Sequence, residues 1–137
     1  MRCFYLFKIN NEFSILSKDN PYKLYEMFES IYNLEHNEAF LGMKIYETLA
    51  LPFENDDMNN YIFTKYQDND FYTKSFNQHI LNNYYTDEKT NLIINKTFIK
   101  IISNKLPSYF KELNNYKNIF VCDFKNKDYF WLKDLYN

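Results

Sequence analysis

A single glycine, Gly42, serves all 137 residues of the chain, and that scarcity restricts its backbone more than any other feature. Glycine reaches left-handed φ without steric cost, so the tight turns must fall to Asn and Asp, which tolerate that region better than other side chains. Both glycine-rich phosphate cradles, the dinucleotide fingerprint and the P-loop, need more than one glycine. Neither can be present, and nucleotide hydrolysis by such a loop is excluded.

Aromatic residues make up 21% of the chain, with 14 Tyr and 14 Phe, so the core is expected to be built from large rings rather than small branched side chains. Those rings exceed what a core of this size needs, and Tyr is enriched at protein interfaces because its ring buries while its hydroxyl stays hydrogen-bonded. The formal net charge of −2 leaves no basic excess for duplex DNA. Single-stranded nucleic acid would suit the aromatics through base stacking, but its sites also need a basic groove, and the lysines here are dispersed among carboxylates.

No linker, repeat or long charge block divides residues 1–137, which read as one domain. The opening MRCFYLFKIN is too short and too interrupted by Lys8 for a signal peptide or a membrane span, so a cytoplasmic location is expected.

Cys3–Ile9 is apolar on both parities and suits a strand buried on both faces, ended by Asn10 and Asn11. A short connection holding Phe13 follows. Asp19, Asn20 and Pro21 then predict a capped, proline-started helix in which Leu24, Met27, Phe28, Ile31 and Tyr32 recur at helical spacing. A second helix is predicted over Asn37–Ala50 and a third over Asp56–Tyr66. Phe71–Leu81 reads as a strand, and Leu92–Ile94 with Thr97–Ile102 as a hairpin turning at Asn95 and Lys96. Pro107 opens a helix through Asn115, Asn118–Phe124 returns to strand, and Asn126–Lys127 turns into a last strand at Tyr129–Leu132. This order predicts an α+β fold: a single mixed or antiparallel sheet with helices packed mainly on one face.

Catalytic groupings are sparse. Cys3, Cys122, His36 and His79 show no paired metal-ligand spacing, and both cysteines sit in apolar runs where buried reduced thiols are expected. A Cys122–histidine nucleophile would need a thiol lodged mid-strand to be reactive. Asp56 with Asp57, and Asp87 with Glu88, are adjacent pairs whose side chains diverge, so helix capping and turn solvation account for them. Asp123 interrupts an apolar strand; it is expected to face water at an edge, and if buried it needs a partner such as Lys125 or Trp131. A hydrolase using Asp123 and a histidine would require those groups to share a cleft. No cofactor and no metal is expected, and the chain is read as a non-enzyme.

Phe13, between Glu12 and Ser14, is a candidate anchor for a partner protein or else a staple onto the following helix; Tyr46, beside Lys44 and Glu47, is ambiguous in the same way.

Several segments together carry a resemblance. FYLFKINNEF, FSILSKDNPYKLYEMF, IYETLALPF, LIINKTFIKII and the C-terminal IFVCDFKNKDYFWL resemble, in that order along the whole chain, the sporulation inhibitor of replication (SirA) family of spore-forming Firmicutes. The resemblance implies a non-enzymatic regulator that binds the N-terminal domain of the replication initiator DnaA and blocks new rounds of initiation during sporulation, touching DNA only indirectly. It implies partner-binding roles for Phe13, at the position of a key inserted aromatic, and for Tyr46 on the IYETLALPF helix. Met43 falls at a contact position that is polar in the family, and Ser17 where the family commonly has an aromatic, with Asp19 at a frequent glycine. The other reading is an unrelated small interaction factor of phage or mobile-element type from an AT-rich bacterium.

Overall fold

The computed structural model describes residues 1–34, 37, 38, 40, 41, 43, 44 and 50–136. In chain order its elements are β1 (Arg2–Ile9), α1 (Asn11–Ser17), α2 (Pro21–Leu34), β2 (Ala50–Leu51), α3 (Asn55–Tyr66), β3 (Tyr72–Ser75), β4 (Gln78–Asn83), β5 (Glu88–Ile94), β6 (Ile99–Ser103), α4 (Tyr109–Leu113), β7 (Ile119–Asp123) and β8 (Asp128–Trp131), closed by a 3₁₀ turn over Leu132–Tyr136. The fold is α+β, with one antiparallel sheet ordered β3-β4-β5-β6-β1-β7-β8. The short β2 pairs with the end of β1 through Lys8↔Leu51 and Ile9↔Ala50.

The apolar run on both parities of β1 puts it mid-sheet, between β6 (Cys3↔Ile102) and β7 (Tyr5↔Cys122). Alternate side chains then enter two separate cores. Phe4 and Leu6 join Met58 and Ile62 of α3 and Tyr109, Phe110 and Leu113 of α4 on one face. Tyr5, Phe7 and Ile9 join Leu24, Tyr25 and Phe28 of α2 on the other. Helices therefore cover both faces instead of keeping mainly to one, because a central strand whose apolar side chains fall on both parities needs both sides sheltered. The ring-built cores are visible in pairs such as Phe7 stacked on Phe28 at 4.4 Å and Tyr32 on Phe124 at 4.3 Å between centroids. Each fully buried ring of this kind contributes about 1.5–3 kcal/mol.

Two segments depart from the sequence reading, and a third lies partly outside the described residues. The connection holding Phe13 is helix α1: Asn10 stands at its N-cap and its side chain accepts from Phe13 N–H at 2.9 Å, so the residue read as a strand terminator also starts a helix. Phe71–Leu81 is two strands, because Phe76 and Asn77 reverse the chain between Ser75 and its partner Gln78. Tyr72 and Ile80 therefore lie on opposite faces. Half of the second predicted helix falls on residues outside the described set, Ala39, Gly42, Ile45, Tyr46 and Leu49 among them; Glu38, Phe40, Leu41, Met43 and Lys44 are helical as predicted, and Ala50 begins β2.

Without glycine, left-handed backbone falls among the described residues on Phe76, Asp87, Asn118 and Lys127. Asp and Asn take only two of these positions. Phe76 and Lys127 each stand beside an Asn that shares the turn.

Candidate functional site

α1 is a seven-residue helix that buries none of its side chains completely. It lies against the sheet through Phe13, which is half-buried at the margin of the core formed by Tyr5, Phe7 and Phe28. Ser17, one turn on, is half-buried too, as i, i+4 spacing requires of two positions on the same helical side. Ile15 and Leu16 point the other way, each 76% exposed. Polar contacts fasten the helix from below: Ser14 Oγ donates to Asn118 Oδ1 at 3.0 Å, and Asn118 Nδ2 donates to Asn11 Oδ1 at 2.7 Å. Asn118 reaches both because its left-handed backbone, φ 59°, turns the chain just before β7.

A short helix with its inner side fixed and two large aliphatic side chains turned to solvent is suited to seat in an apolar recess of another protein. Phe13 and Ser17 thus share one element, with Phe13 both packed and partly accessible. Met43 is exposed, on the helical residues that follow α2. Tyr46 lies outside the described residues. Ile15 and Leu16 are not singled out by the sequence because the segment reads as a connection; the available signal is an Asn cap followed by an apolar pair at the fifth and sixth residues of the helix.

The titratable groups are engaged elsewhere. Asp123 is buried instead of facing water, and its partner is neither Lys125 nor Trp131 but Arg2, whose Nε donates to Oδ2 at 2.8 Å. Asn126 Nδ2 adds a bond at 2.7 Å. Burial opposes the charge on Asp123, but the hydrogen bonds from Asn126 and Arg2 outweigh it and hold the carboxyl below its usual range. His79 is fully buried, with Nδ1 2.7 Å from the Tyr72 hydroxyl and Nε2 2.7 Å from Asn59 Oδ1. Burial, helped by Lys74, pushes it down to about 4, so it is neutral near pH 7.

His79 on β4 and Asp123 on β7 are four strand spacings apart in the sheet, roughly 19 Å. They share no cleft. Burial raises both thiols, Cys122 inside the core and Cys3 half-buried, which leaves little thiolate for nucleophilic chemistry. Among the described residues no three metal-ligating side chains come together.

Glu88, read as a solvated turn residue, is buried instead. It accepts from Ser108 N–H at 3.0 Å, from the Ser108 hydroxyl, and from Thr90 Oγ1 at 2.7 Å. The carboxylate ties β5 to the residue that opens α4.

No helix among the described residues is long and apolar enough to cross a membrane. A scan against protein-family models finds no match. Comparison with curated proteins finds no significant match either.

Proposed function

We propose that this chain is a non-enzymatic cytoplasmic inhibitor of replication initiation, which binds the N-terminal domain of DnaA through the outer side of α1 as cells enter sporulation. The observation that carries the reading is the pair Ile15 and Leu16, 76% exposed on a helix anchored through Asn118. Phe13, Ser17, Met43 and Tyr46, the contact positions implied by the resemblance to the sporulation inhibitor of replication family, supply the rest of the proposed surface. In this arrangement Phe13 supports α1 from beneath and offers its accessible edge, while Ile15 and Leu16 enter the partner's recess. Inhibition follows from occupying the initiator's own interaction surface, and no reaction step is required.

The test is a titration of the chain with purified DnaA N-terminal domain from the same organism. Saturable binding that Leu16→Ser weakens at least about tenfold is expected, since tenfold corresponds to about 1.4 kcal/mol and a central anchor is worth about 2 kcal/mol or more. No detectable complex at roughly 100 μM would end the proposal.

A second reading, an unrelated interaction factor of phage or mobile-element type, is favoured by a different surface. Tyr84 and Tyr85, 73% and 79% exposed, pack with Phe71 just after β4. A partner captured through these rings and insensitive to Leu16→Ser would support that reading over the first.

A further inference from the structure

The two faces of the sheet are not covered alike. On one, Tyr72, Leu81, Leu92, Ile94, Ile99 and Ile101 of β3–β6 all enter the core beneath α3 and α4. On the other, the core beneath α2 takes side chains from β1, β7 and β8 and, among the described residues, none from β3–β6. The helical residues after α2 meet this second face at its middle, where the Glu38 carboxylate accepts from the Tyr5 hydroxyl of β1 at 3.2 Å and from the Lys100 ammonium of β6.

The uncovered part of the face is aliphatic. Asn91 pairs with Ile80 on one side and Ile102 on the other, and Ile93 lies two residues along the same strand, so three isoleucines from adjacent strands share one face. Ile80 is 39% exposed and the other two are half-buried. A recess of about 270 Å³ opens between Ile80, Lys89, Asn91 and Ile102, large enough for an aliphatic side chain. Lys89 and Lys100 are the only charged side chains that β3–β6 place on this face. Lys100 is paired with Glu38, whereas Lys89 forms no ion pair among the described residues.

The size of the vacant area limits what can lie on it. β3, β4 and β5 with the margin of β6 measure roughly 14 Å across and about 17 Å along the strands. That falls well short of the ~800 Å² that each partner gives to a standard interface between folded proteins, a second copy of this chain included. One α-helix, about 10–12 Å across, fits it. The fold covers the other half of the same face in that way, with Leu24, Tyr25 and Phe28 of α2. An isoleucine patch beside an unpaired lysine suits a helix that is aliphatic on one side and acidic at its flank.

We infer that the β3–β5 face is a docking site for an acidic amphipathic helix of a partner protein, with its aliphatic side on Ile80, Ile93 and Ile102 and a carboxylate against Lys89. α1 is fastened at the start of β7, beyond β6 and β1 in the sheet, so this surface is separate from the one proposed for DnaA.

The probe is a fluorescein-labelled, hydrocarbon-stapled helical peptide of about 14 residues, with leucines at i, i+3, i+4 and i+7 and glutamate or alanine elsewhere. Two controls share its length: one has the leucines scattered around the helix, and the other has lysine in place of glutamate. Saturable anisotropy near or below about 100 μM is expected for the acidic peptide, with both controls at least about tenfold weaker. Ile93→Lys should abolish this binding and keep the circular dichroism of the parent. Lys89→Glu, at an exposed position, should weaken the acidic peptide and favour the lysine peptide, and it serves equally where Ile93→Lys does not fold. Leu16→Ser should bind the probe as the parent does, so failure of the DnaA reading and failure of this one are distinguishable. No saturation by the acidic peptide, equal binding of the scattered control, or an unchanged preference in Lys89→Glu would overturn the assignment. Sedimentation showing a dimer that Ile93→Lys disperses would also overturn it, and would give the face to a second copy.

Discussion

Arg2 Nε lies 2.8 Å from Asp123 Oδ2, and the guanidinium extends through Nη2 to Asp128 Oδ2 at 2.7 Å. The chain's only arginine thus clasps β1 to both strands of the β7–β8 hairpin. Its planar fork also lies 4.5 Å from the Phe4 ring, a geometry that a lysine ammonium does not reproduce. Arg2→Ala is expected to lower stability by about 1–3 kcal/mol, the cost of leaving a buried charged acceptor short of a partner. Arg2→Lys should recover only part of it, as read from urea midpoints. A midpoint for Arg2→Ala equal to the parent's would show that the clasp is dispensable.

The acid response of the fold should occur in two windows. His79 has a folded-state pKa of about 4, below its ordinary value of 6.5, so the unfolded chain takes up its proton first. Its contribution is complete above about pH 6.5 and is lost as pH falls toward 4. Asp123 is also depressed, so its contribution is present above the ordinary carboxyl range and is lost only at still lower pH. Urea midpoints should therefore fall between pH 6.5 and 4 by an amount corresponding to about 2–3 kcal/mol, and His79→Gln should flatten that part of the curve. A parent curve that stays flat over this interval would contradict the buried neutral imidazole.

Glu88 should matter more than an ordinary surface glutamate. Glu88→Ala removes the acceptor of Ser108 N–H and of two hydroxyls and is expected to cost about 2–3 kcal/mol. Ser108→Ala, which keeps the backbone bond, should cost nearer 1 kcal/mol. Equal losses from the two variants would mean that the carboxylate is not the organising group.

Exposure and burial on the face covered by α1 and α2 predict opposite phenotypes. Leu16→Ser should change stability by less than about 0.5 kcal/mol while weakening partner binding at least about tenfold. Phe28→Ala, in the core beneath α2, should destabilise by about 3–5 kcal/mol. Matched measurements of unfolding and binding separate the two, and a large stability loss for Leu16→Ser would show that α1 serves the fold instead of a partner.

The scarcity of glycine leaves a repairable strain. Phe76 holds φ 54° in the two-residue β3–β4 turn, where Gly or Asn is the favoured residue. Phe76→Gly should raise stability by up to about 1 kcal/mol as that steric cost is relieved, visible as a higher melting temperature. A lower one would mean that the exposed ring stabilises the turn.

Much of the fold was legible because hydrophobic period and punctuation agreed. Pro21 and the Leu24–Tyr32 spacing located α2, and Asp56 with the Met58–Tyr66 pattern located α3. Asn95 and Lys96 fall in the β5–β6 turn as predicted. β1 announced its own burial through two apolar parities, and the same observation already required cover on both faces. The failures were of another kind. α1 is too short to establish a period, and Asn10 was seen as an ending when its side chain was making a beginning. The β3–β4 turn was hidden because Phe76 occupies a position where a turn residue was sought. At the candidate docking surface, Phe13 and Ser17 were within reach of sequence reasoning. The orientation of Ile15 and Leu16 was not, because it depends on Asn118, which lies far along the chain. The burial of Asp123 and Glu88 was missed for the same reason: their partners, Arg2 and Ser108, are remote in sequence.

The place of β1 in the sheet also bears on synthesis. Cys3 pairs with Ile102 and Tyr5 with Cys122, so β1 must wait until β6 and β7, far later in the chain, have left the ribosome. Such late, distant pairing makes folding slow. Meanwhile Phe4, Leu6 and Phe7 remain uncovered on the nascent chain, where a holding chaperone would find its natural target.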